Sequence, residues 1–124
     1  MKSNSAIHVL LVDHDESVAE ILKRDLSDRG CQVEVFPDYR GALALLESDR
    51  PLSVMITCIQ LPAGTPHGVS LANMAVQKRP DLPVIFIAGD VASAQFIDER
   101  WGPVIFKPID PDHLMNAIKA SIKS

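Results

Sequence analysis

The side chains in this chain best suited to chemistry sit at the ends of apolar runs. They are Asp13, His14 and Asp15 after the first run, Cys58 after a later one, and Lys107 before Pro108. A carboxylate, an imidazole and a thiol together form a ligand set for Zn²⁺ or another transition metal. A thiol beside a lysine is the arrangement that depresses a cysteine's pKa and makes it a nucleophile or a redox sensor. Each feature also has a plainer reading, and the plainer one is preferred. Free cysteine is among the most buried residue types, so Cys58, ending Val54-Met55-Ile56-Thr57, reads first as a small core residue. His14 reads as a partly exposed polar residue, and Lys107 as an ion-pair partner for Asp13. No Asp or Glu lies between Asp49 and Asp81, so no acid near Cys58 in the chain can replace it. Thr57 is adjacent, but strand side chains alternate, which turns it to the other face.

These residues can act together only if the intervening elements bring them to one place. Ile7–Val12 is apolar except for His8, as a central parallel strand covered on both faces would be. Asp15 or Ser17 can cap the helix that follows. Val18, Ile21, Leu22 and Leu26 recur at helical spacing, and Gly30 ends the helix. Cys31–Phe36 alternates apolar with polar, the mark of a half-exposed edge strand. Asp38 caps a second helix that turns Ala42, Leu45 and Leu46 inward. Residues 52–58 form another buried strand, and Pro62, Gly64, Pro66 and Gly68 break the chain into a loop carrying His67. A helix over 69–79 follows on Ala72, Ala75 and Val76, then the strand Val84–Ala88 and a weak helix over 91–100. Gly102-Pro103 turns into Val104–Phe106. Asp110 and Pro111 open the last helix, with Leu114, Ala117, Ile118, Ser121 and Ile122 as its stripe.

Five βα units predict one α/β domain with its core over 7–122. The expected architecture is a doubly wound (βα)5 three-layer sandwich around a five-stranded parallel sheet in the order 2-1-3-4-5. Ligands in such sheets collect at the carboxyl ends of the strands, where Asp13, His14, Cys58, Ala88 and Lys107 all fall.

Composition narrows the partners. A chain of 124 residues, 47 % hydrophobic, can bury a core without metal or disulfide help. A net charge of −4 with scattered basic residues argues against nucleic acid. Two cysteines, both in strand contexts, fit a reducing cytoplasm. The apolar run near the start is too short for a signal peptide or a membrane span, so no membrane association is expected. There is no C-x-x-C and no glycine-rich phosphate loop, and Asp13-His14-Asp15-Glu16 would repel a flavin phosphate.

In the order and spacing of its strand ends the chain resembles the receiver domains of bacterial response regulators, the CheY-like, flavodoxin-like sheets. The resemblance rests on Leu10-Leu11-Val12-Asp13-His14-Asp15-Glu16, Leu61-Pro62, Pro83-Val84-Ile85-Phe86-Ile87 and Phe106-Lys107-Pro108. It implies a phosphoacceptor Asp four residues before Pro62, a position held by Cys58. It implies two successive acids that hold Mg²⁺; Asp13 matches the first, and His14 stands at the second. The hydroxyl residue implied after the fourth strand is Ala88, and the aromatic switch residue implied three positions before the lysine is Val104. Lys107 and Pro108 match, with a cis bond between them implied. The loop between Pro62 and Gly68 is longer than the family pattern.

A thiol acceptor would give a different, labile product. Mg²⁺ wants hard oxygen ligands, and Ala88 offers no hydroxyl to a phosphoryl oxygen. The expectation is therefore a pseudo-receiver of two-component or phosphorelay signalling that is not phosphorylated at the usual position. It would bind Mg²⁺ weakly or not at all, need no other cofactor and not be an enzyme. It would work in the cytoplasm by docking a histidine kinase, a phosphotransfer protein or an output module. The docking surface would be the fourth helix, fifth strand and fifth helix, with Trp101, Val104 and Pro108 as contacts, and the same face could join two copies. A chain this short leaves no room for an output domain, so its effect would be exerted in trans. Two alternatives stay open: a receiver with a non-standard acceptor, and a Cys58-based redox sensor or small Cys-dependent enzyme.

Overall fold

The computed structural model describes residues 6–59, 68–89 and 102–123. Its strands are β1 (Ile7–Val12), β2 (Cys31–Phe36), β3 (Val54–Cys58), β4 (Val84–Ala88) and β5 (Val104–Phe106). Its helices are α1 (Glu16–Asp28), α2 (Tyr39–Glu47), α3 (Gly68–Lys78) and α4 (Pro111–Lys123). All pairings are parallel, and the sheet runs β2-β1-β3-β4-β5, the predicted order.

The period-two alternation of the strands makes two cores. Val9, Leu11, Ile56 and Ile87 point to one face and pack with Leu22 and Leu26 of α1 and Leu114 and Ile118 of α4. Leu10, Val12, Met55 and Phe86 point to the other, against Leu45 and Leu46 of α2 and Leu71 and Ala75 of α3. The strands between the two layers are apolar on both sides because both sides are covered.

Local chemistry sets the helix ends. Asp15, not Ser17, caps α1, its side chain accepting from the Ser17 and Val18 N–H groups. Gly30, in the left-handed region at φ +93°, closes that helix. Asp38 caps α2, and Asp110 Oδ1 accepts from the Asp112 N–H at 3.0 Å to open α4. Two stripes differ from the sequence reading. Ile21 is 50 % exposed and Ala19 is buried in its stead, while Ile122 is 39 % exposed and Met115 is buried. In both helices one apolar position lies just outside the arc that faces the sheet, and a neighbour within that arc takes its place. β3 begins at Val54 rather than at 52, and α3 covers 68–78 rather than 69–79. His67, the predicted helix over 91–100 and Trp101 lie outside the described residues. Among the described residues no helix is long and apolar enough to cross a membrane.

Gly102 sets the entry to β5, and so the position of Lys107. Its φ is +133°, and a Cβ there would lie 2.3 Å from the Val84 carbonyl oxygen. Gly102→Ala therefore meets backbone strain and a collision with backbone that cannot rotate away. It is expected to cost about 2–4 kcal/mol, read as a lowered urea midpoint. A midpoint equal to that of the unsubstituted protein would show that this turn is free to rearrange.

Candidate functional site

Parallel register brings the strand ends together. Val12 pairs with Thr57, Cys58 with Ile87, and Ala88 with Phe106. Three hydrogen bonds carry the ladder past the strand ends: the Asp13 N–H donates to the Phe36 carbonyl at 3.1 Å, the Ile59 N–H to the Ile87 carbonyl at 3.1 Å, and the Lys107 N–H to the Ala88 carbonyl at 3.0 Å. The segments after β1, β3 and β5 thus converge on one edge of the sheet.

Asp13 is the buried carboxylate at its centre, 1 % exposed. Its Oδ1 accepts from the Asp15 N–H at 2.9 Å, which ties the carboxylate to the start of α1. Its Oδ2 is buried and accepts no hydrogen bond. The Lys107 ammonium lies 3.9 Å from that oxygen, too far for a hydrogen bond but close enough for charge attraction. The predicted Asp13–Lys107 ion pair is therefore present in a loose form. The Lys107–Pro108 bond is cis, as the resemblance implied.

Cys58 and His14 complete the cluster. Ligand atoms of Asp13, His14 and Cys58 all lie within 4.8 Å of one another, with Asp13 and Cys58 buried and His14 exposed at the mouth. The structure does not support an activated thiol at Cys58. Burial pushes the thiol pKa well up, and the neighbouring Asp13 carboxylate pushes it further. Lys107 opposes these effects but does not overcome them. Asp13 and Asp15 both act against the thiolate, and Lys107 is the one opposing charge, with its ammonium 3.9 Å from Asp13 Oδ2.

The remaining predicted residues are spread more widely. Ala88 is 1 % exposed and belongs to the apolar core under α2 and α3. Val104 packs half-buried against that same core at the start of β5, and Pro108 is exposed. Thr57 is fully buried on the face opposite Cys58, as alternation requires, and its hydroxyl donates to the Cys58 carbonyl at 3.1 Å. Two features escaped the sequence reading. The orphaned Oδ2 of Asp13 depends on side-chain geometry that no spacing encodes. Phe106 is 42 % exposed on the edge strand; its position in a three-residue strand at the sheet edge was the available signal.

A parallel sheet in this order, with a buried acid after its first strand and a Lys–cis-Pro pair after its fifth, defines a CheY-like signalling domain. The chain belongs to the response regulator receiver domain family, whose profile matches residues 9–119. It is 31 % identical to the response regulator receiver protein CpdR of Brucella abortus, over 90 % of this chain and 92 % of that one. It is 30 % identical to the response regulator MprA of Mycolicibacterium vanbaalenii over 94 % of this chain, which spans only 51 % of MprA. A receiver domain protein from Methanospirillum hungatei superposes with a TM-score of 0.84 at 25 % identity, over 96 % of this chain and 95 % of that one. NtrX from Brucella abortus gives 0.85 at 25 % identity, with this chain covering 27 % of it. Receivers of this family act in two-component signalling, where they engage kinases, phosphotransfer proteins or output domains.

The family implies Mg²⁺ at this edge of the sheet. Mg²⁺ demands near-octahedral oxygen coordination. The residues gathered here offer one carboxylate, an imidazole and a thiol, and two of those three donors are too soft. The site does not suit that ion.

Proposed function

We propose that this receiver domain is not phosphorylated at the usual strand end and serves as a protein-binding module. The observation that carries the reading is the buried thiol of Cys58 at the end of β3, where a receiver's acceptor carboxylate would stand. The other strand ends agree with it. His14 and the Asp13–Lys107 pair leave no hard-cation site to neutralise a transferring phosphoryl group. Ala88 has no hydroxyl, and Thr57 is sealed in the opposite core with its hydroxyl engaged. On this reading the domain is not an enzyme and binds Mg²⁺ weakly or not at all.

Its work would then be docking in the cytoplasm with a histidine kinase, a phosphotransfer protein or an output module. Among the described residues the face we assign comprises β5 and α4, and it could also join two copies. The exposed ring of Phe106 beside half-buried Val104 gives that edge an apolar contact surface. The domain would be switched by partner binding, which shifts its conformational balance in place of a phosphoryl group.

The test is intact mass after incubating the full chain with Mg²⁺ and acetyl phosphate. The mass is expected to stay unchanged. A phosphoryl increment that survives to the spectrometer would overturn the reading, and fragment mapping would name the acceptor.

A further inference from the structure

The same donor set that rejects Mg²⁺ suits a different ion. We propose that Asp13, His14 and Cys58 form a binding site for Zn²⁺ or a similarly thiophilic divalent cation. The inference goes beyond the docking function and does not depend on it.

Three observations carry it. The first is donor chemistry: a carboxylate oxygen, an imidazole nitrogen and a thiol sulfur are all ordinary zinc ligands, and softness favours Zn²⁺ over Mg²⁺. The second is spacing. Ligands of tetrahedral zinc stand roughly 3.4–3.8 Å apart, given bond lengths of about 2.0–2.3 Å. The three donors already lie within 4.8 Å of one another, so closure needs about an ångström of contraction. His14 is exposed at the mouth and can change rotamer toward Asp13 and Cys58 at their strand ends. The third is the Oδ2 of Asp13, a carboxylate oxygen that is buried beside the other donors and accepts no hydrogen bond. A buried acceptor left unpaired is costly, and a bound cation would satisfy it. The plain alternative, that Lys107 fills this role, falls short because its ammonium stops 3.9 Å away.

On binding, the Cys58 S–H loses its proton to solvent as the metal–sulfur bond forms, Asp13 binds through Oδ2, and His14 binds as the neutral ring. Three protein ligands leave the fourth position of a tetrahedral ion open to water. Lys107, 30 % exposed, is displaced toward solvent by the incoming charge. It is therefore a competitor for the site and not a ligand.

The experiment uses the full chain without a polyhistidine tag, stripped with chelator. Zn²⁺ is titrated against a chromophoric chelator, and Co²⁺ serves as the spectroscopic probe. One equivalent of Zn²⁺ is expected to bind, and Co²⁺ is expected to show thiolate-to-cobalt charge transfer in the near ultraviolet. Cys58→Ala should abolish the band and weaken Zn²⁺ binding by more than about tenfold, and His14→Ala should weaken it comparably. Cys31→Ala should leave both unchanged, and Lys107→Met should tighten binding several-fold. His14 is exposed, so its variant tests the site even if Cys58→Ala fails to fold. Substoichiometric binding, or binding that persists in both the Cys58 and His14 variants, would overturn the proposal.

Discussion

Iodoacetamide is expected to alkylate Cys58 in the folded, metal-free protein at least about a hundredfold more slowly than it alkylates a free-thiol peptide. The thiolate is the attacking species, and this site suppresses it in two ways. Cys58 is only 4 % exposed, which limits access. Burial also raises its pKa, with the Asp13 carboxylate raising it further. The same shift makes a thermodynamic prediction. The folded-state pKa lies above the ordinary value of 9.0, so the folded protein keeps a proton that the unfolded chain gives up. The resulting stabilisation is complete below about pH 9 and falls by about 1.4 kcal/mol per unit as pH rises toward the folded-state pKa. Burial shifts Cys31 in the same direction, so the comparison is with Cys58→Ala. That variant should show a shallower alkaline loss of stability. In urea both thiols should react at the peptide rate. A folded-state rate matching the peptide would mean that Cys58 is reactive after all.

The expected inertness of Cys58 could be read only in part from the chain. The alternating and continuous apolar runs of β1 to β5 placed every strand within two residues, because burial on one face or two leaves a direct imprint on sequence. Capping residues Asp15, Asp38 and Asp110 marked helix starts for the same local reason. What stayed hidden depended on distances between segments far apart in the chain. A thiol near a lysine can be activated or not, and the sequence does not say which of Asp13 and Cys58 the lysine serves. In the structure the Lys107 ammonium lies 3.9 Å from Asp13 Oδ2, and Asp13 and Asp15 both act against the Cys58 thiolate. Ile21 and Ile122 show the same limit on a smaller scale. Helical spacing names the stripe, but the sheet decides which side of a wide stripe it covers.

Cys58→Asp is expected to destabilise the fold by about 2–4 kcal/mol at neutral pH in the presence of chelator. The substitution places a second carboxylate against Asp13. At the 4.8 Å that bounds the cluster, two full charges repel by about 3.5 kcal/mol at an effective dielectric near 20. Desolvation adds to this and Lys107 removes part of it. The introduced carboxyl answers by holding its proton, so its folded-state pKa rises above the unfolded value. The sign of the pH dependence follows. Below the ordinary carboxylate range both states are protonated and the penalty vanishes; it grows as pH climbs through that range and levels off above the raised pKa. Mg²⁺ should also reverse the penalty, because the two facing carboxylates now make a hard oxygen site that binds the folded state alone. Urea midpoints of variant and native protein, measured with and without Mg²⁺ at two pH values, check all three statements. Native protein should show no Mg²⁺ dependence. A variant as stable as the native protein without Mg²⁺ would mean that the buried pocket already holds compensating positive charge. The ion preference of this strand edge would then not be set by Cys58. If the penalty and its Mg²⁺ rescue are both found, one sulfur-for-carboxylate difference accounts for the loss of the hard-cation site.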